Sequence, residues 1–69
     1  SGDAGLVGSV TAITALQSGS SLTGWVHLQG EQWQVHSATP LQPGQRVRVV
    51  ARKGLMLQVA AADTSPPGE

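Results

Sequence analysis

The sequence contains no cysteine, phenylalanine or tyrosine, and it has only two tryptophans. Without cysteine, neither a disulfide nor a thiolate metal site can stabilise the fold. A chain of 69 residues forms one domain at most, and it buries only about 60% of the surface that the unfolded chain exposes. The core must therefore come from a few well-placed Val, Leu, Ile and Trp side chains.

The chain also has no excess of either charge, since four Lys and Arg residues balance four Asp and Glu residues. Domains that bind duplex nucleic acid are usually basic, so this balance argues against such a partner. No apolar run approaches the roughly 20 residues needed to span a bilayer, and no signal-peptide pattern opens the chain. Because the sequence starts with Ser-Gly and not with Met, we expect a soluble fragment of a longer protein.

What the sequence does have is an alternation of apolar and polar residues that glycines interrupt. The pattern predicts five strands, at residues 6–13, 22–29, 31–37, 46–52 and 55–60. No segment shows the 3.6-residue period of an amphipathic helix. Short strands and tight hairpins favour an all-β fold, a small five-stranded OB-fold-type barrel. We predict a flexible N-terminal end at 1–4 (a linker or remnant), the barrel at 5–61 and a disordered tail at 62–69.

Three glycines predict the turns between these strands. Gly30 and Gly54 each lie between two strands and predict tight hairpins. Gly44 follows Pro43, which is the signature of a type II turn. The alternation also predicts which side chains of the last two strands face the core: Val47, Val49, Ala51, Leu55, Leu57 and Val59.

All four basic residues lie close together, at Arg46, Arg48, Arg52 and Lys53. The alternation predicts that the three arginines lie on the outer face of the fourth strand and form a basic ridge with Lys53. Such a ridge can be an ordinary solvated face whose charges discourage aggregation. It can also be a docking surface for an acidic partner or for anionic lipid headgroups, where each charge contributes about 1 kcal/mol.

Trp25 alternates out of phase with Val26 and Leu28, which places it opposite the core-facing side chains. An exposed tryptophan is an effective interface anchor, but large aromatic residues are usually mostly buried. We therefore predict partial burial against the loop at residues 17–23. The predicted interaction surface consists of Trp25, Arg46, Arg48, Arg52 and Lys53.

The sequence offers little for metal binding or catalysis. His27 and His36 could become cross-strand neighbours in a hairpin around Gly30. A zinc site needs three or four protein ligands, and only Glu31 lies nearby as a third, so we predict neither a metal nor a cofactor. The serines cluster in the 17–23 loop and the tail, and the acidic residues are scattered. Because no nucleophile has an evident base, we predict that the chain is not an enzyme.

Several short motifs follow one another in a fixed order. Residues 6–8 read L-V-G, residues 24–33 read G-x-V-x-L-x-G-E-x-W, residues 43–50 read P-G-x-x-V-x-V-V, and residues 54–59 read G-L-x-L-x-V. In this order they resemble the C-terminal soluble domain of the NfeD family over residues 5–60. The stretch at 19–24 is longer than the connection of many relatives. Because the glycines fit turns and the aliphatic residues fit a core, the motifs specify a fold and not a site.

The resemblance implies an OB-fold barrel carried on a few transmembrane helices of a bacterial-type inner-membrane protein, and we expect it on the cytoplasmic side. It further implies a non-catalytic interaction domain that docks on, or modulates, a stomatin- or flotillin-type (SPFH) membrane scaffold. Some longer relatives carry a serine protease domain, but this chain has no Ser/Lys protease motif. Two alternatives stay open. One is a single-stranded nucleic-acid-binding OB domain, which the shortage of aromatic stacking platforms disfavours; the other is a purely structural barrel.

Overall fold

A computed structural model describes residues 5–62, so the predictions for residues 1–4 and 63–69 lie outside the described residues. The described chain is all-β, which confirms the predicted class of small barrel. Its strands are β1 (Val10–Ala12), β2 (Ala15–Leu16), β3 (Thr23–Leu28), β4 (Glu31–Ser37), β5 (Arg46–Lys53) and β6 (Met56–Ala61). Within this part of the chain, no helix has the length and hydropathy required to cross a membrane.

The strand predicted at 6–13 is only partly correct, because residues 6–8 form a turn, β1 covers Val10–Ala12, and a bend at Ile13 and Thr14 leads into β2, which was not predicted. Six strands are therefore found where five were predicted. The sheet order is β1-β5-β6-β4-β3-β2, so β1 and β2 form its two edges although only Ile13 and Thr14 separate them. The Ile13 amide donates to the Gln45 carbonyl at 2.8 Å, and the Thr14 amide donates to the Trp25 carbonyl at 2.9 Å. One bent strand therefore pairs with β5 through its first half and with β3 through its second, which curls the sheet into a barrel.

The core occupies the inside of this curled sheet. Val26, Val35, Val47 and Leu57 are completely buried because alternate residues of each strand point to the same face. Burying an aliphatic side chain of this size contributes about 1.5–3 kcal/mol, so a few such residues support the domain. The buried apolar residues of the described chain are Leu6, Ile13, Val26, Val35, Leu41, Val47, Val49, Leu57 and Val59, and Leu16, Leu28 and Trp33 pack against them.

The turns follow the glycines. Gln29 and Gly30 connect β3 to β4 with φ angles of 53° and 79°, the type I′ geometry whose twist matches that of the flanking strands. Gly44 has a φ angle of 85°, and the Gln45 amide donates to the Gln42 carbonyl at 3.0 Å. Pro43 and Gly44 therefore occupy the central positions of the predicted type II turn.

The prediction that Leu55 is a core residue is wrong. Lys53 pairs with Met56, so Gly54 and Leu55 form a two-residue hairpin loop and β6 begins one position later than predicted. Leu55 is 82% exposed because it lies in the loop and not on the inner face of a strand.

A β-bulge also corrects the predicted orientation of the end of β5. Val49 pairs with Val59, but Ala51 pairs with Gln58 and Arg52 with Leu57, so the register shifts at Val50. The extra residue reverses the alternation. Ala51 therefore lies on the outer face, and Arg52 lies on the inner face beside Leu57, opposite to the prediction for both residues.

Candidate functional site

The structure divides the predicted interaction surface between two regions. Arg46 and Arg48 are exposed on the outer face of β5, where they pair with Ala12 and Val10 of β1. The Arg48 Nη1 atom lies 3.4 Å from the Gly8 carbonyl oxygen. Val50 follows on the same face and is 47% exposed. We call Arg46, Arg48 and Val50 the basic face; it combines two cations with an exposed aliphatic side chain.

Arg52 does not belong to the basic face. Its guanidinium carbon lies 4.9 Å from the centroid of the Trp33 ring, a cation–π contact, and its Nε donates to the Gly54 carbonyl at 2.8 Å. Because Trp33 packs against the core, Arg52 connects the β5–β6 turn to the end of the barrel. The sequence analysis missed this pair because it continued the alternation past Val50, although the adjacent Val49 and Val50 interrupt the apolar–polar order of β5 and were the available signal of a bulge.

Trp25 is half-buried, in agreement with the predicted degree of burial, and lies on the outer face of β3. The neighbours that the register gives it are Ala15 of β2 and Gln34 of β4. The Gln34 Nε2 donates to the Gln17 Oε1 at 2.6 Å, so the loop at 17–23 is attached to the residue beside Trp25.

A groove open to solvent lies beside Trp25, and its volume is about 330 Å³. It lies where β4 leaves the β3–β4 hairpin, facing the turn between β5 and β6. Sequence reasoning missed it because Leu55, one of its walls, was predicted to be a core residue. Lys53 is exposed next to that turn. The residues that line the groove are Trp25, Glu31, Gln32, Trp33, Gln34 and Leu55.

The sequence suggested that the two histidines could be cross-strand neighbours, but in the structure they are not. His27 pairs with Gln32, and His36 pairs with Thr23. Because the loop contains only Gln29 and Gly30, the register places the imidazoles four positions apart along the sheet, about 13 Å. They cannot share one ion at that separation. Within residues 5–62, no group of three or more His, Cys, Asp or Glu side chains is arranged to hold a metal ion.

Comparison with known proteins agrees with this architecture. A family model described as the NfeD-like C-terminal, partner-binding domain matches residues 2–60. The chain is similar in structure to the C-terminal domain of stomatin operon partner protein 1510-C from Pyrococcus horikoshii, with a TM-score of 0.72 and 24% sequence identity over 86% of this chain and 91% of that one. At 24% identity, this similarity shows that the two domains share a fold and nothing beyond the fold. No curated protein sequence matches the chain significantly.

The match to the family model covers almost the whole chain, including every strand except the last residue of β6. It contains the glycine turns, the alternating β5 strand and the hairpin residues that line the groove. The chain belongs to the NfeD family, as its C-terminal, partner-binding domain.

Proposed function

We propose that this chain is a non-catalytic docking module that binds a stomatin- or flotillin-type (SPFH) scaffold. The observation that carries the proposal is the match of residues 2–60 to a domain described as partner-binding. The similar structure from Pyrococcus horikoshii is named a stomatin operon partner protein, which supports the choice of scaffold. In this proposal the domain belongs to a membrane-tethered protein.

The surface of the barrel offers two regions on which such a partner can dock. The groove combines the half-buried Trp25 with the exposed Leu55, and interface centres are typically aromatic and apolar. The basic face offers Arg46 and Arg48, which would speed association with an acidic surface. We propose that Trp25, Arg46, Arg48 and Lys53 contact the partner, and that Arg52 acts by holding the β5–β6 turn.

The direct test measures binding of the 69-residue chain to the soluble part of the stomatin- or flotillin-type protein from the same organism. Surface plasmon resonance, with the scaffold immobilised, gives both the affinity and the association rate. We expect saturable binding that weakens by at least about tenfold in Trp25→Ala, which removes an anchor. Arg46→Ala with Arg48→Ala should slow association and reduce its salt dependence. Gln42→Ala, which changes an exposed side chain that belongs to neither region, is the control.

Nuclear magnetic resonance spectra must show that each variant keeps the fold. Absence of binding by the folded parent chain would remove the proposal. A single-stranded oligonucleotide, added at low salt as a second ligand, should leave the tryptophan fluorescence unchanged. Salt-dependent quenching would instead favour the nucleic-acid alternative.

We also propose that the domain faces the cytoplasm, because the basic face suits an anionic membrane leaflet. Protease added to spheroplasts that express the full-length protein should leave the domain uncleaved, and lysed spheroplasts should lose it. Cleavage in intact spheroplasts would place the domain on the other side.

A further inference from the structure

The first half of β4 has a strand neighbour on one side only. The parallel pairing of β4 with β6 begins at Gln34 and Met56 because the chain reverses at residues 54–55 to pair with β5. Residues 31–33 consequently pair with β3 alone. We call residues 31–33 the open edge; it forms one side of the groove.

The hydrogen-bond phase of the hairpin shows which backbone groups point to that side. In an antiparallel ladder, residue pairs alternate between exchanging hydrogen bonds and pointing away from each other. The Trp25 carbonyl accepts from the Thr14 amide at 2.9 Å, and the His27 carbonyl accepts from the Thr11 Oγ1 at 3.2 Å. Both carbonyls thus point away from β4.

His27 pairs with Gln32, so this pair belongs to the class that exchanges no hydrogen bonds. The amide and carbonyl of Gln32 therefore point to the open side of β4 and into the groove. An exposed strand edge of this kind is a template for a further strand.

The side chains around the open edge add apolar surface and charge. Trp25 on the outer face and Trp33 on the inner face both line the groove, and so does Leu55, which is 82% exposed. Lys53, the last residue of β5, is exposed beside the turn that holds Leu55, whereas Glu31, exposed at the first position of the open edge, places a negative charge in the groove. An acidic side chain of a partner segment is therefore favoured on the side of the turn, near Lys53, and disfavoured near Glu31.

We propose that the open edge is the docking site for a short extended segment of the partner protein. The segment pairs with the amide and carbonyl of Gln32, inserts one apolar side chain between Trp25 and Leu55, and directs an acidic side chain toward Lys53. Main-chain pairing supplies affinity in this mode of recognition, and the side-chain pocket supplies specificity. The inference rests on the proposed function, since the segment belongs to the SPFH scaffold.

The sharpest test is Gln32→Pro, because proline removes the Gln32 amide and is tolerated where that amide makes no ladder bond. Binding to the soluble part of the scaffold should weaken by about tenfold or more, while the folded spectrum stays native. Gln32→Ala is the matched control, since it keeps the amide and should bind like the parent chain. Leu55→Asp should also weaken binding, because it replaces an apolar side chain of the groove with a charged one. The exposed loop position accepts the change without unfolding the barrel.

Hydrogen exchange provides a test that needs no variant. In the free chain, the Gln32 amide should exchange much faster than the Trp33 amide, which points toward β3, and the scaffold should slow its exchange. Slow exchange of Gln32 in the free chain would overturn the inference, as would unchanged binding by both Gln32→Pro and Leu55→Asp. If both variants bind like the parent chain, the proposed function stands. If the scaffold does not bind the parent chain, both proposals are removed.

Discussion

At the scale of single residues, Arg52 has a role that its charge alone does not indicate. Its guanidinium covers the ring of Trp33 at 4.9 Å, and its Nε donates to the carbonyl of Gly54. The guanidinium is planar and always charged, so it can stack and donate at the same time, which lysine cannot do. Arg52 thereby fixes the turn that presents Leu55 to the groove.

We expect Arg52→Ala to lower the free energy of unfolding by about 1–2 kcal/mol, through loss of the cation–π contact and the hydrogen bond. Arg52→Lys should lie between Ala and the parent because it keeps the charge without the planar group. Urea unfolding followed by tryptophan fluorescence measures the effect. The neighbouring Lys53→Ala, which removes an exposed side chain, should change stability by less than about 0.5 kcal/mol. Equal effects at both positions would contradict the assigned role of Arg52.

Gly24 shows a second effect that a single residue can have. A Cβ atom at this position would approach the Ala15 carbonyl oxygen to 2.7 Å and the Ile13 Cγ2 to 3.5 Å. Glycine here therefore permits the close approach of β2 to β3, on which the bend in the first strand depends. The same glycine begins the longest motif shared with the family, which supports the view that the motif encodes the fold.

At the scale of elements, the β3–β4 turn is a place where the sequence is not optimal for its conformation. Gln29 adopts a φ angle of 53°, a left-handed conformation that costs about 1–2 kcal/mol for most L-residues but less for asparagine. Type I′ turns favour Asn-Gly for this reason.

Gln29→Asn should consequently raise the free energy of unfolding by about 0.5 kcal/mol, because the turn would match its preferred sequence. Thermal unfolding by circular dichroism should show a higher midpoint. Gln32→Asn, in an extended strand, is the control and should give no increase. A lower midpoint for Gln29→Asn would show that contacts of the Gln29 side chain outweigh its backbone strain.

The sequence predicted elements well where alternation is regular and poorly where one residue interrupts it. Val47, Val49, Leu57 and Val59 are buried as predicted, and the two hairpins and the type II turn lie at their predicted glycines. The bulge at Val50 and the bend after Ile13 are defined by how these residues pair with distant strands, so the sequence of one strand alone does not fix them.

The same distinction applies to the candidate site. The order of residues in the sequence located the cations and both tryptophans, but only the register shows that Arg52 faces inward and that the histidines are separated. The groove could not be predicted because it depends on where β6 stops pairing with β4. Its contribution to binding, and that of the basic face, stays a prediction.

At the scale of the whole molecule, Ile13 connects the two edges of the sheet. Its side chain is 2% exposed, and its backbone pairs with the β5 side through both its amide and its carbonyl, which accepts from the Gly44 amide at 2.7 Å. A chain of 69 residues has a total stability of about 3–10 kcal/mol. The barrel therefore depends strongly on this one position.

We expect Ile13→Val to destabilise the chain by about 0.5–1.5 kcal/mol and Ile13→Ala by about 2–5 kcal/mol, since the second change leaves a cavity. Near-ultraviolet circular dichroism and urea unfolding would show whether the barrel persists. Val50→Ala removes an exposed aliphatic side chain and should change stability by less than about 0.5 kcal/mol. A similar loss of stability in Val50→Ala and Ile13→Ala would contradict the conclusion that the barrel depends on Ile13.

The bent first strand also bears on how fast the chain folds. The partner of its first half is far away in sequence, since Val10 pairs with Arg48, and the parallel ladder joins Val35 to Leu57. Topologies dominated by such distant pairings fold in about milliseconds to seconds, much more slowly than helical domains of the same size. Until β1 reaches β5, the strand edges lack their native partners and can capture those of another molecule. Refolding of this domain should accordingly recover more native protein from dilute solution than from concentrated solution.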